Sequence, residues 1–163
     1  MPTLTHQKLT PFLWFDSQAE EAAKFYTSVF PGSKLLGVSR YGEAGPGKPG
    51  SAMTVSFRLE GQELTALNGG PHHSCTEAVS FLVDCETQEE VDALWTALSE
   101  GGEEGPCGWL KDRYGLSWQI IPSALGDLLG DPDPQRAARA MQAMLQMKRI
   151  DIQGLRRAAE AAA

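Results

Sequence analysis

The stretch LTPFLWFDSQAEEAAKFYTSVFPGS, residues 9–33, decides the fold because its pattern returns once later in the chain. Residues 9–16 are apolar and aromatic enough for a strand, and Ser17 with Glu20 makes an S-x-x-E capping box that predicts a helix start. Behind the box, Ala22, Phe25, Tyr26, Val29 and Phe30 recur at i, i+3, i+4, i+7 and i+8, one stripe to be buried, until Pro31-Gly32 stops the helix. The stretch AVSFLVDCETQEEVDALWTALS, residues 78–99, repeats the design with Thr87 and Glu90 as its capping box. Val91, Leu94, Trp95 and Leu98 each lie 69 residues beyond Ala22, Phe25, Tyr26 and Val29. A repeat this long, present in two copies, is a duplicated module rather than a solenoid.

Residues 33–41, 53–60 and 63–68 read as strands of the first copy. The middle one sets Met53, Val55, Phe57 and Leu59 against Thr54, Ser56 and Arg58, and Gly61-Gln62 supplies the tight turn after it. The Gly/Pro-rich residues 42–50 form a loop, and Gly69-Gly70-Pro71 closes the copy. In the second copy Gly101-Gly102 ends the helix, and residues 104–110 and 116–122 read as strands joined through Asp112-Arg113-Tyr114-Gly115. One strand there has no clear signal. After Asp131-Pro132-Asp133-Pro134 the composition turns to Ala, Met, Gln and Arg. A helix is expected there with Ala137, Met141, Met144, Leu145 and Lys148 on one face, and a shorter one from Asp151. The expected organisation is a first module over 1–72, a second over 73–130 and a helical extension over 131–163.

A chain of 163 residues can bury a real core without staples. Its net charge of −7 argues against nucleic acid or an anionic membrane as partner. No run of about 18 apolar residues occurs, and residues 1–10 lack a secretory pattern, so a cytoplasmic protein is expected. Cys75, Cys85 and Cys107 form no CxxC pair and read as free thiols.

The strings TPFLWFDSQAEEAAKFYTSVFPGS, MTVSFRLEGQELTALNGGP, GWLKDRYGLSWQIIP and DPDPQRAARAMQAMLQMKRIDI together resemble the PhnB-like branch of the vicinal-oxygen-chelate superfamily, whose members often carry the label demethylubiquinone methyltransferase-like. The resemblance runs from Leu9 to about Ile152. It implies an α+β protein of the glyoxalase/bleomycin-resistance fold, with two βαβββ modules whose curved mixed sheets enclose a pocket, followed by C-terminal helices, in a homodimer. In metal-using members four ligands, mostly His and Glu, come from the first and last strands of each module. Those places fall on Pro11, on Leu64 or Ala66, on Ala78 and, through the D-x-x-G-x-x-x-E pattern of Asp112 and Gly115, on Gln119. One amide among aliphatic side chains cannot hold a divalent ion, and a shift to Leu9, Leu13, Ser80 or Leu82 does not help. No metal and no cofactor is therefore expected.

Other constellations point less far. His72, His73 and Cys75 fit no common zinc spacing, and His72 reads as a pocket rim or exposed loop residue. His6 reads as solvated. Cys107 has no evident base beside it and reads as packed or pocket-lining. Trp14, Trp95 and Trp118 read as core, while Trp109 is expected to touch ligand. Asn68 can cap its turn or point into the pocket. Arg58 and Arg113 lie near hairpin ends, where solvated arginines are usual. A methyl donor of nucleoside type sits on a glycine-rich turn between strand and helix, and here only Gly45-Pro46-Gly47 comes near, with no helix after it.

The expected function is binding of a small molecule, without metal, in a pocket lined by Pro11, Leu13, Phe15, Ser56, Asn68, His72, Cys107, Trp109 and Gln119. The alternatives are a metal-dependent lyase, isomerase or dioxygenase, which needs ligands the sequence does not offer, and a metal-free enzyme using Gln119, Asn68 or Cys107 to orient substrate. Whether any reaction is catalysed, and on what, is not written in the sequence.

Overall fold

The structure is a computed structural model and describes residues 7–161, so His6 lies outside the described residues. The chain divides into two compact units, Met1–Cys75 and Thr76–Ala163. The first contains β1 (Phe12–Phe15), α1 (Ala19–Val29), β2 (Lys34–Arg40), β3 (Ala52–Leu59) and β4 (Gln62–Asn68), in a mixed sheet of order β1-β4-β3-β2. Only β1 and β4 run parallel, as a βαβββ crossover requires.

The helix α1 packs on β2, β3 and β4. Ala19, Ala22, Ala23, Tyr26 and Phe30 are buried beneath it, with Tyr26 stacked on Phe57 at 6.2 Å between ring centroids. The predicted stripe holds at Ala22, Tyr26 and Phe30, whereas Phe25 and Val29 are only half-buried at its flanks. The predicted Ser17 cap is a correction. The N-cap is Gln18, which makes no side-chain cap bond, and Asn68 Oδ1 reaches over from the end of β4 to accept the Ala19 amide at 2.8 Å. A cap supplied by another strand satisfies the same orphan donor and leaves no local signature.

The β3–β4 turn also differs from Gly61-Gln62. Leu59 pairs with Gln62, leaving Glu60 (φ 46) and Gly61 (φ 83) as the two loop residues. Both are in the left-handed region that a twisted two-residue hairpin demands.

The second unit repeats the order with β5 (Ser80–Cys85), α2 (Gln88–Ser99), β6 (Glu103–Glu104), β7 (Trp109–Lys111) and β8 (Ser117–Pro122), sheet order β5-β8-β7-β6. Here the capping box forms. Thr87 Oγ1 accepts the Glu90 amide at 3.2 Å, and Glu90 Oε2 accepts the Glu86 amide at 2.8 Å. Val91, Leu94, Trp95 and Leu98 are buried against the sheet, and Trp118 with them, as expected. The single strand predicted over 104–110 is two strands, parted by a loop of residues 105–108 that passes through Cys107 at φ +57 and Gly108 at φ +83. The strand without a clear signal is thus the two-residue β6.

Three helices follow: α3 (Ser123–Leu129), which the sequence reading does not anticipate, α4 (Pro134–Met144) and α5 (Ile152–Glu160). Leu125, Ile150 and Leu155 form their buried centre, with Met144 and Met147 packed against it. The inward face of α4 runs through Ala140, Ala143 and Met144, while Met141 and Leu145 are 40% and 56% exposed, so the expected face is rotated by about one residue. Asp151 caps α5 as expected, accepting the Gly154 amide at 3.0 Å. None of the described helices is long and apolar enough to cross a membrane.

Candidate functional site

Parity along the strands assigns each side chain to one of two sheet faces. In the first unit Leu13 and Phe15, 9% and 4% exposed, lie beside Ala66 and Asn68 in register and share the α1 side with Val55 and Phe57. They belong to the core on that side, and neither lines the two hollows described below. Phe12 and Trp14 take the opposite face. Trp14 is half-buried rather than core: its indole Nε1 donates to the Gly70 carbonyl at 2.9 Å, and its ring meets His73 edge-on at 4.7 Å. Gly69 lies against that ring, where an added Cβ would come within 2.3 Å.

A hollow of about 520 Å³ lies at the N-terminus of α1, bounded by Asp16, Glu20, Tyr41, Gly47, Asn68 and His72 among others. Asn68 is a clip in its wall: besides the Ala19 amide, its Nδ2 donates to the Ala52 carbonyl at 3.1 Å, and its own carbonyl accepts the Tyr41 hydroxyl at 2.5 Å. The side chain thus borders the hollow and caps α1 rather than its own turn. Gly45 and Gly47 pack on the Tyr41 ring, which a Cβ would meet at 2.8 and 2.3 Å. The loop's glycines serve that aromatic contact, and β3 rather than a helix follows them.

In the second unit Ser80, Leu82, Trp109, Lys111, Ser117 and Gln119 share the face turned away from α2. Trp109 and Gln119 are direct cross-strand partners. Gln119 Nε2 donates to Ser80 Oγ at 2.9 Å. A hollow of about 420 Å³ is bounded by Glu77, Glu103, Pro106, Cys107, Trp109, Lys111 and Ser117 among others. Its loop wall is fixed from behind, since the Cys107 and Gly108 amides donate to the Met147 and Lys148 carbonyls at 2.8 and 2.7 Å. Cys107 is half-buried, and its thiol points to the Met144 carbonyl at 3.7 Å. At Gly108 a Cβ would stand 2.8 Å from Ile121 Cδ1 and 2.9 Å from the Ile120 carbonyl, so only glycine fits.

Lys111 is absent from the sequence-level site, although parity from Trp109 points to it. Its Nζ pairs with Glu77 at 2.6 Å and reaches Glu103 at 4.0 Å. The hydrogen bond to Glu77, and then its charge, hold the ammonium above its ordinary pKa and the Glu77 carboxyl below its own. Glu104 turns to the other face, accepting from Trp95 Nε1 at 2.8 Å.

Asn68 and His72 therefore border one hollow, Cys107 and Trp109 the other, and Gln119 adjoins Trp109. Ser56 lies half-buried on the face turned from α1, and Pro11 uses its carbonyl to accept the Thr65 amide at 3.0 Å. The positions that the family resemblance assigns to metal ligands hold Pro11, core Leu64 and Ala66, exposed Ala78, and Gln119, whose Nε2 donates to Ser80. That donor set does not fit a divalent ion. Among the described residues no three His, Cys, Asp or Glu side chains converge to hold one. His72 and His73 are both exposed.

Residues 7–121 match the family model described as 3-demethylubiquinone-9 3-methyltransferase. Among solved structures, the chain is 40% identical to a putative 3-demethylubiquinone-9 3-methyltransferase, a PhnB protein from Bacillus cereus, covering 72% of this chain and all of that one with a TM-score of 0.65. Protein PA1353 of Pseudomonas aeruginosa is 20% identical over 72% of this chain and 98% of its own, TM-score 0.60. The fosfomycin resistance protein FosX of Listeria monocytogenes, in complex with Mn(II) and sulfate, is 13% identical over 76% and 94%, TM-score 0.53. The last two likenesses are of fold alone. No curated protein matches the chain.

Proposed function

We propose that this chain, which belongs to the 3-demethylubiquinone-9 3-methyltransferase family in its PhnB-like branch, is a metal-free small-molecule-binding protein that works as a cytoplasmic homodimer. The observation that carries the reading is Gln119. At the position the family pattern gives to a charged ligand in metal-using members, this chain has a neutral amide whose Nε2 donates to Ser80, flanked by Trp109 and Leu82. Apolar walls with a few polar anchors suit a neutral organic ligand better than an ion. Leu82 and Phe12, 58% and 59% exposed on faces turned from the helices, are the kind of apolar surface that a ligand or a second copy covers.

The family's description implies a methyl donor, and the residues present do not fit one of nucleoside type. The turn between β1 and α1 is Asp16-Ser17-Gln18, with no glycine for close approach and with the Asp16 and Glu20 carboxylates beside the helix start. Gly45 and Gly47 pack on Tyr41, and Gly69 packs on Trp14.

The test is a thermal-shift screen of a small-molecule library together with elemental analysis of the purified protein. A compound that raises the melting temperature progressively with the logarithm of its concentration, with no stoichiometric metal, is the expected result. One tightly held divalent ion per chain overturns the reading in favour of a Lewis-acid catalyst.

A further inference from the structure

The hollow over β6 and β7 contains an unusual floor. Ser117 is 1% exposed, and its hydroxyl is buried without a hydrogen-bond partner, the one such side-chain atom among the described residues. A buried hydroxyl in that state carries an unrecovered desolvation cost. Its register partner across the hairpin is Lys111, so the two donors stand side by side on one face. Lys111 has three N–H bonds and commits one to Glu77. Two residues along β7 from Lys111, Trp109 adds an aromatic wall, and Pro106 lies on the loop that borders the same space.

Charge narrows the ligand further. The carboxylates of Glu77 and Glu103 flank the single ammonium of Lys111, leaving the rim net negative, which disfavours an anion. Lys111 in turn stands where the charge of an organic cation would have to sit. From these observations we propose that this hollow binds a neutral aromatic molecule carrying a carbonyl-type acceptor, whose ring lies against Trp109 and whose oxygen takes hydrogen bonds from Ser117 and Lys111. Access to the Ser117 hydroxyl requires the Lys111 side chain, tied to an exposed Glu77, to change rotamer on binding. The inference rests on the ligand-binding reading above and specifies its chemistry.

Benzamide, benzoate and benzylamine share a ring and differ in charge, and together they test the class by amide-resolved NMR titration of the full chain. Benzamide is expected to shift the Trp109 indole and the Ser117 and Lys111 amides at millimolar concentration, with benzoate about tenfold weaker or worse. Ser117→Ala should weaken benzamide about fivefold or more. The same substitution should leave the melting temperature of the free protein unchanged or raised, which a structural hydroxyl would not do. Trp109→Leu should abolish the shifts. The proposal is overturned if benzoate or benzylamine binds as well as benzamide, if the shifts fall elsewhere or do not appear, or if Ser117→Ala binds benzamide normally. Should benzamide fail while the library screen finds another stabilising compound, this assignment falls and the broader binding function stands.

Discussion

Asp112 is a buried carboxylate, 2% exposed, that organises the β7–β8 hairpin. Its Oδ1 accepts the Tyr114 and Leu116 amides at 2.8 and 3.1 Å, and its Oδ2 accepts the Trp118 indole at 2.9 Å. Replacing it by asparagine keeps the shape but sets an NH2 against one of those donors. Asp112→Asn should therefore destabilise by ~1–3 kcal/mol, read as a lowered melting temperature; an unchanged transition would show that the carboxylate is not shared in this way. Cys85 illustrates the opposite use of burial. Loss of solvent, then the charges of Glu90 and Asp84, push its thiol up to about 12. At pH 8 it should resist a thiol reagent that consumes half-buried Cys75 and Cys107, and react only after denaturant is added. Three equally fast thiols would contradict its placement.

Among the elements, the C-terminal helices are held by a polar clip as well as by their apolar centre. Gln88, in the first turn of α2, donates through Nε2 to the Ile150 carbonyl and accepts the Ile152 amide at Oε1, at 2.9 and 2.8 Å. At the far end of α5, Arg139 of α4 donates to the carbonyls of Ala158 and Ala159 at 2.7–3.2 Å. Gln88→Ala strands two backbone groups beside Ile150, which is fully buried. Hydrogen exchange in α5 should accelerate by roughly five- to a hundredfold while β5 and β8 keep their protection. Uniform acceleration across the second unit would mean that the helices do not open separately. No pattern in the sequence announces this clip, since Gln88 and Ile152 lie far apart in the chain and glutamine has no preferred role in a first helical turn.

For the molecule as a whole, what was legible and what was not divides by the range of the interaction. The strand-then-helix start of each copy, the second helix stripe and the Thr87 box follow from contacts within a few residues, and the sequence carries them openly. The first cap did not, because its acceptor comes from Asn68 on another strand. Face assignment in β1 failed for a different reason: FLWF is apolar at every position, so alternation gives no clue to which pair faces α1, and a one-residue slip exchanges Leu13 and Phe15 with Phe12 and Trp14. The two-residue β6 is too short for any period, and nothing in the sequence distinguishes Ser117 from other strand serines. Of the residues that border the second hollow, Cys107 and Trp109 are among those the sequence proposes, while Lys111 and Ser117 are defined only by register.

Each half of the chain covers its own sheet with its own helix and completes its own ladder of strands. Folding demands are thereby settled twice and locally. Selection can rewrite the outward face of either sheet, residue by residue, while the side under the helix keeps its own core. A lineage built this way explores new ligands at little risk to its architecture, which gives a physical reason for one duplicated frame to serve relatives with unlike chemistries.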